Sequence, residues 1–82
     1  MSNLERLNKE AELTALETQV VGQRLRVEKL RDALRLKLDT CKPAEDLNRD
    51  SIQALGFDFS AAHIDLAETL ALIAKIKNFL GR

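Results

Sequence analysis

The sequence predicts an all-α fold, an antiparallel helical hairpin of coiled-coil type that assembles into a dimeric four-helix bundle. Three observations carry this expectation. Residues that break helices are scarce, with three Gly and one Pro in 82 residues. Apolar residues recur at alternating steps of three and four in two long stretches, which is helical and not strand-like spacing. Charge is laid out in four blocks whose signs match only when the chain doubles back on itself.

The first helix is expected over about residues 3–39. From Ser2 to Asp39 there is no proline and one glycine, and Leu, Glu, Arg, Lys and Ala dominate; these side chains lose least on becoming helical. Ser2 or Asn3 can cap its start, and Glu5 suits the positive end of the helix dipole. At 100° per residue, Leu13, Leu16, Val20, Val27, Leu30, Leu34 and Leu38 form one stripe, interrupted in its middle only by Gln23. Such a helix spans roughly 55 Å at 1.5 Å per residue.

A connection is expected over residues 40–50. Pro43 ends the first helix and can begin a short turn, since its missing N–H costs nothing in a first turn. Ala44, Glu45 and Asp46 supply acidic first-turn character, so a helical turn from Pro43 to Asn48 fits. Asp50, with Gln53 three residues on, has the spacing of a capping box.

The second helix is expected over about residues 51–80. Ile52, Phe59, Leu66, Ile73 and Leu80 recur every seven residues, with Leu55, Ala62, Thr69 and Ile76 between them. Only Thr69 in this seam is polar, which is the pattern of a heptad repeat. Gly56 is a possible break, with Asp58 or Ser60 able to cap a new helix. The heptad phase crosses it unshifted, so one continuous or slightly kinked helix is expected, closed by Gly81.

Two helices joined by a short connection return antiparallel. Charge supports this independently: residues 1–22 carry a net −2, residues 23–42 a net +4, residues 43–68 a net −5 and residues 69–82 a net +3. Folding at Pro43 sets +4 against −5 and −2 against +3, whereas parallel helices would set like signs together. An exposed pair contributes only ~0.2–1 kcal/mol, so charge selects the arrangement more than it stabilises it. The expected register faces Leu34 with Leu55, Leu30 with Phe59, Val27 with Ala62, Val20 with Thr69, Leu16 with Ile73 and Leu13 with Ile76.

That seam leaves apolar side chains over. Leu4, Leu7, Ala11, Val21, Leu25 and Leu36 on the first helix, and Phe57, Ile64, Ala71, Leu72 and Phe79 on the second, point elsewhere. Burying a large apolar side chain is worth roughly 1.5–3 kcal/mol, and a soluble monomer rarely leaves so wide a patch wet. Leu4, Leu7, Val21, Leu25, Phe57, Ile64 and Phe79 are the expected partner-contact residues. Their partner is a second copy of the chain, or another protein offering a helical groove. Gln23 and Thr69 either form a tolerated polar layer or set register, and Gly22 marks a kink or a close helix approach.

Other chemistries find little footing. Balanced charge, 13 basic against 13 acidic residues, argues against a nucleic-acid coat or a polybasic membrane anchor. Three Phe with no Trp or Tyr argue against a base-stacking platform. The alternative to protein binding is an accessory or regulatory role on nucleic acid through Arg24, Arg26, Lys29, Arg31 and Arg35. With Lys37, those residues split into two rows: Arg24, Arg31 and Arg35 flank one side of the stripe, and Arg26, Lys29 and Lys37 the other. Such an arrangement suits pairing with acidic partners across a helix interface better than it suits a single nucleic-acid face.

No enzyme, cofactor or metal site is expected. Cys41 in the connection and His63 within the second helix lie on the order of 20 Å apart at helical rise, beyond nucleophile–base reach. The simpler role is a loop thiol and a surface or interface histidine. His63 and Asp65 face different sides of a helix. No Glu-x-x-His accompanies Glu17 or Glu28, and phosphate-loop, C-x-x-C and H-E-x-x-H motifs are missing from the sequence. One cysteine cannot form an internal disulfide. The N-terminal stretch lacks a signal-peptide apolar core, and no window reaches a membrane span. The expected setting is cytoplasmic, with no membrane partner and a role as adaptor, assembly chaperone or scaffold.

Overall fold

A computed structural model describes residues 2–38 and 43–82. Two long helices, α1 over Asn3–Lys37 and α2 over Arg49–Phe79, pack against each other along their length, with a 3₁₀ turn at Ala44–Asp46 between them. The described residues contain no strand. The molecule is a rod of 63 × 16 × 14 Å. Residues 39–42 lie outside the described residues, and with them Cys41 and the expected end of the first helix at Asp39.

Each helix end has an identifiable cause. Ser2 is extended, and its hydroxyl accepts from the Glu5 amide at 3.1 Å, so it and not Asn3 is the cap. At the other end the Leu38 amide still donates to Leu34, but its backbone has left helical geometry at φ −98°, ψ 23°. Its side chain, expected to end the stripe, is 51% exposed. The second helix starts at Arg49, two residues early, because Asn48 and not Asp50 is the cap; the Asn48 carboxamide accepts from the Ser51 amide at 3.0 Å. Asp50 instead sits in the acidic first turn, where it meets the helix dipole. The turn expected over Pro43–Asn48 contracts to three residues, held by Asp46 N–H to Pro43 and Leu47 N–H to Ala44.

α2 runs through Gly56 unbroken. Phe79 is its last residue and Leu80 its cap. Gly81 follows at φ +76°, donating to Asn78, while the Arg82 amide donates to Lys77 at 2.8 Å. This is the paired C-terminal closure that a left-handed glycine permits. α1 likewise passes Gly22 without interruption, and a Cβ built at that glycine meets nothing within 4 Å. Gly22 therefore does not mark a close approach to α2.

The helices are antiparallel. Gln19 Nε2 donates to Thr69 Oγ1 at 3.5 Å, Arg82 reaches Glu10 at 3.3 Å, and Lys9 Nζ lies 5.8 Å from the Phe79 ring centre. These contacts tie the N-terminal half of α1 to the C-terminal end of α2. Gln19 would face Leu70 and Lys9 would face Leu80 in the expected register, and each touches a residue one position away. The core consists of Leu13, Val20, Ile73, Ile76 and Leu80, with Leu16 and Leu66 packed against it. Ala62 is also buried.

Thr69 is a buried polar member of the seam with both hydroxyl functions used, donating to the Asp65 carbonyl at 3.0 Å and accepting from Gln19. Gln23 differs. Its Oε1 is buried without a hydrogen-bond partner, a position that costs the desolvation of that atom.

Candidate partner-binding faces

The seven expected contact residues, Leu4, Leu7, Val21, Leu25, Phe57, Ile64 and Phe79, are all exposed, with Leu4 at 69% and Phe57 at 68%. They divide into two unlike groups, one on each helix.

On α1 they belong to a longer row: Leu4, Leu7, Ala11, Thr14, Thr18, Val21 and Leu25, spaced three and four throughout and all exposed. At 100° per residue this row lies opposite the Leu13–Leu34 seam. α1 thus carries two heptad seams on opposite sides, only one of which α2 covers. The two threonines do not interrupt the outer row chemically. Thr14 Oγ1 donates to the Glu10 carbonyl and Thr18 Oγ1 to the Thr14 carbonyl, both at 3.1 Å. Bonding back to the preceding turn satisfies each hydroxyl donor and leaves a methyl group to extend the apolar surface. The threonines escape notice in a hydrophobicity count; the signal that finds them is their unbroken phase with Leu4, Leu7, Val21 and Leu25.

On α2 the exposed residues are more scattered. Phe57 and Ile64 lie on the side away from the seam, but Glu68 and Lys75 fall in the same row before Phe79. The Lys9 ammonium over the Phe79 ring partly engages that side chain, an attraction of about 0.5–1 kcal/mol at an exposed site. Ile64, Phe59, Ser60 and His63 line a shallow depression of about 300 Å³. The Phe59 and His63 rings stack there with centres 6.0 Å apart. A second depression, of about 280 Å³, crosses the two helices between Glu17, Val21 and Arg24 on one side and Leu70 and Lys77 on the other. Leu36, Leu47, Leu70 and Leu72 are further exposed apolar side chains; Leu47 and Leu70 lack a heptad phase that would single them out in the sequence.

The basic stretch is exposed at Arg24, Arg26, Lys29, Arg31 and Arg35. Among the described residues its one ion pair is Arg31 with the adjacent Asp32 at 3.1 Å. Among the described residues the other ion pairs are Arg6–Glu10, Lys9–Glu12 and Arg82–Glu10, of which the last ties α1 to the residues that follow α2. Among the described residues the blocks of opposite charge therefore face each other without direct bridges from the basic stretch to α2. Long side chains flanking a two-helix seam keep their hydration at little cost, so proximity of sign need not become contact.

Among the described residues no group of three or more His, Cys, Asp or Glu side chains could hold a metal ion. Nor is any described helix long and apolar enough to cross a membrane. His63 is exposed, and the thiol of Cys41, its only candidate partner in nucleophilic chemistry, lies outside the described residues. Comparison of the chain with protein-family models, with curated proteins and with solved structures finds no match.

Proposed function

We propose that this chain is a non-catalytic protein–protein interaction module, a helical hairpin that serves as adaptor, assembly chaperone or scaffold through the apolar faces its own fold leaves uncovered. The observation that carries the proposal is the uninterrupted outer row of α1. A helix with seams on opposite sides has a place for two neighbours, and the hairpin supplies one. The small core adds to the argument: with few side chains buried, a second interface adds stability that a short chain otherwise lacks.

Sedimentation equilibrium over a range of concentrations tests the proposal, together with capture experiments on the purified chain. Self-association, or binding of a helical partner that is lost on placing charge in the outer faces, is the expected result. A monomer that binds no protein would reject the proposal.

The exposure of Arg24, Arg26, Lys29 and Arg35, none of them in an ion pair among the described residues, favours one second reading. In it the chain is an accessory protein on nucleic acid. It predicts binding that collapses between low and moderate salt, with a slope set by the number of phosphates neutralised. Binding that is absent at low salt would dismiss it.

A further inference from the structure

We infer that the outer row of α1 is a homodimer seam in which two copies lie antiparallel, helix α1 against helix α1, with Leu7 of each copy facing Leu25 of the other. The inference rests on the reading of the chain as an association module and names the partner as a second copy of this chain.

The row is self-complementary about its own centre. An antiparallel coiled coil sets each a position against a d position of its partner. Taking Leu4, Ala11, Thr18 and Leu25 as a positions and Leu7, Thr14 and Val21 as d positions, a two-fold axis beside Leu16 places Leu7 on Leu25, Ala11 on Val21 and Thr14 on Thr18. Large residues meet at the two ends, small meets medium inside them, and the back-bonded threonines meet at the middle. The overlap runs from Leu7 to Leu25, roughly 27 Å at helical rise, with Leu4 just beyond it.

Charge on one flank selects the same arrangement. Glu10, Glu17 and Arg24 line that edge of the row at seven-residue spacing. The two-fold brings Glu10 of one copy beside Arg24 of the other, twice, with Glu17 meeting its own equivalent on the axis. Glu10 already attracts Arg6 and Arg82 within its own chain, so it is one acid among several cations. A parallel dimer forms no opposite-sign pair along this seam and sets Arg24 against Lys29. The other flank consists of Asn8, Ala15 and Gly22, all small and uncharged. Gly22 is unfavourable within a helix by about 1 kcal/mol relative to Ala, and no atom of its own chain requires it. In the dimer it borders the seam, where the missing side chain lets the second helix approach.

The resulting assembly is a single layer in the order α2, α1, α1, α2, not a square bundle, because the two seams of α1 lie on opposite sides. It leaves Phe57 and Ile64 open.

Single-cysteine variants in a Cys41→Ser background test the geometry. Under mild oxidation L7C mixed with L25C should crosslink as a heterodimer, and neither should crosslink with itself. Self-crosslinking of L7C or L25C alone would overturn the antiparallel pairing. Sedimentation of the L7E/V21E variant should show dimerisation weakened by at least about tenfold, with helix content by circular dichroism unchanged, since both residues are outside the hairpin seam. E17Q should tighten the dimer roughly twofold by removing a like-charge pair. If L7E/V21E dimerises normally and F57E/I64E does not, the seam assigned here is wrong while the association module stands. If the unmodified chain stays monomeric at all concentrations, the homodimer is overturned; capture of a helical protein through the Leu7–Leu25 row would then preserve the module with a foreign occupant.

Discussion

The two halves of the hairpin share one heptad pattern and differ in what that pattern achieves. In the half that holds the chain ends, Leu13, Val20, Ile73, Ile76 and Leu80 are buried, Leu13 to 3% exposure. Among the described residues of the half next to the turn, Val27, Leu30, Leu34, Ile52, Leu55 and Phe59 are only half-buried, and Ala62 alone is buried. Gln19, Gln23 and Thr69 lie where the two halves meet. Two helices cover a seam from one direction each, so depth of burial depends on what flanks it. At the free ends, the Gly81 closure folds Arg82 back to Glu10, and Lys9 lies over Phe79. Near the turn the flanking residues are Arg24, Arg31 and Arg35, which extend to solvent. A heptad repeat locates a seam; its neighbours determine how dry the seam becomes.

The largest test of this contrast is a pair of truncations. Leu13→Ala should cost about 3 kcal/mol of unfolding free energy, as a buried leucine leaving a cavity does. Leu34→Ala, across the partly wet half, should cost about 1 kcal/mol because water already reaches the site. Urea unfolding at fixed protein concentration measures both; equal losses would erase the distinction between the halves. Next comes Gly81→Ala, which forces a Cβ into the left-handed region at φ +76° and should cost about 1–2 kcal/mol. Its effect should appear as faster amide exchange around Leu80 and Ile76, leaving the turn half unchanged.

Gln23→Leu sharpens the boundary between the halves. It removes a buried oxygen that has no partner and should raise stability by about 1 kcal/mol. A loss instead would mean that Gln23 has hydrogen-bonding work in the assembled state. The smallest expected effect is Asn48→Ala, which deletes the cap on Ser51 and should cost somewhat under 1 kcal/mol, confined to exchange at the first turn of α2.

Much of the fold is legible in the sequence because helix formation and the heptad repeat are local properties. The seam from Leu13 to Leu34 and from Ile52 to Leu80 can be read by spacing alone, as can the direction of return from four blocks of charge. What is not legible depends on local competition. Asn48 and Asp50 are equally able to cap, and only the backbone geometry at φ −88°, ψ 97° chooses Asn48. Leu38 fits the stripe by number, yet it is the cap of α1 and is exposed. Of the candidate faces, Leu4, Leu7, Val21 and Leu25 are visible as apolar residues out of phase with the seam. Thr14 and Thr18 complete their row only once the hydroxyls are seen to bond inward.

Association is the claim on which the functional account stands, and sedimentation equilibrium of the unmodified 82-residue chain tests it most directly. The apparent mass should rise from 9.2 kDa toward twice that value as concentration increases through the micromolar range, and the L7E/V21E variant should remain at the lower value. A mass that holds at the single-chain figure at every concentration, with no protein partner captured, would contradict it.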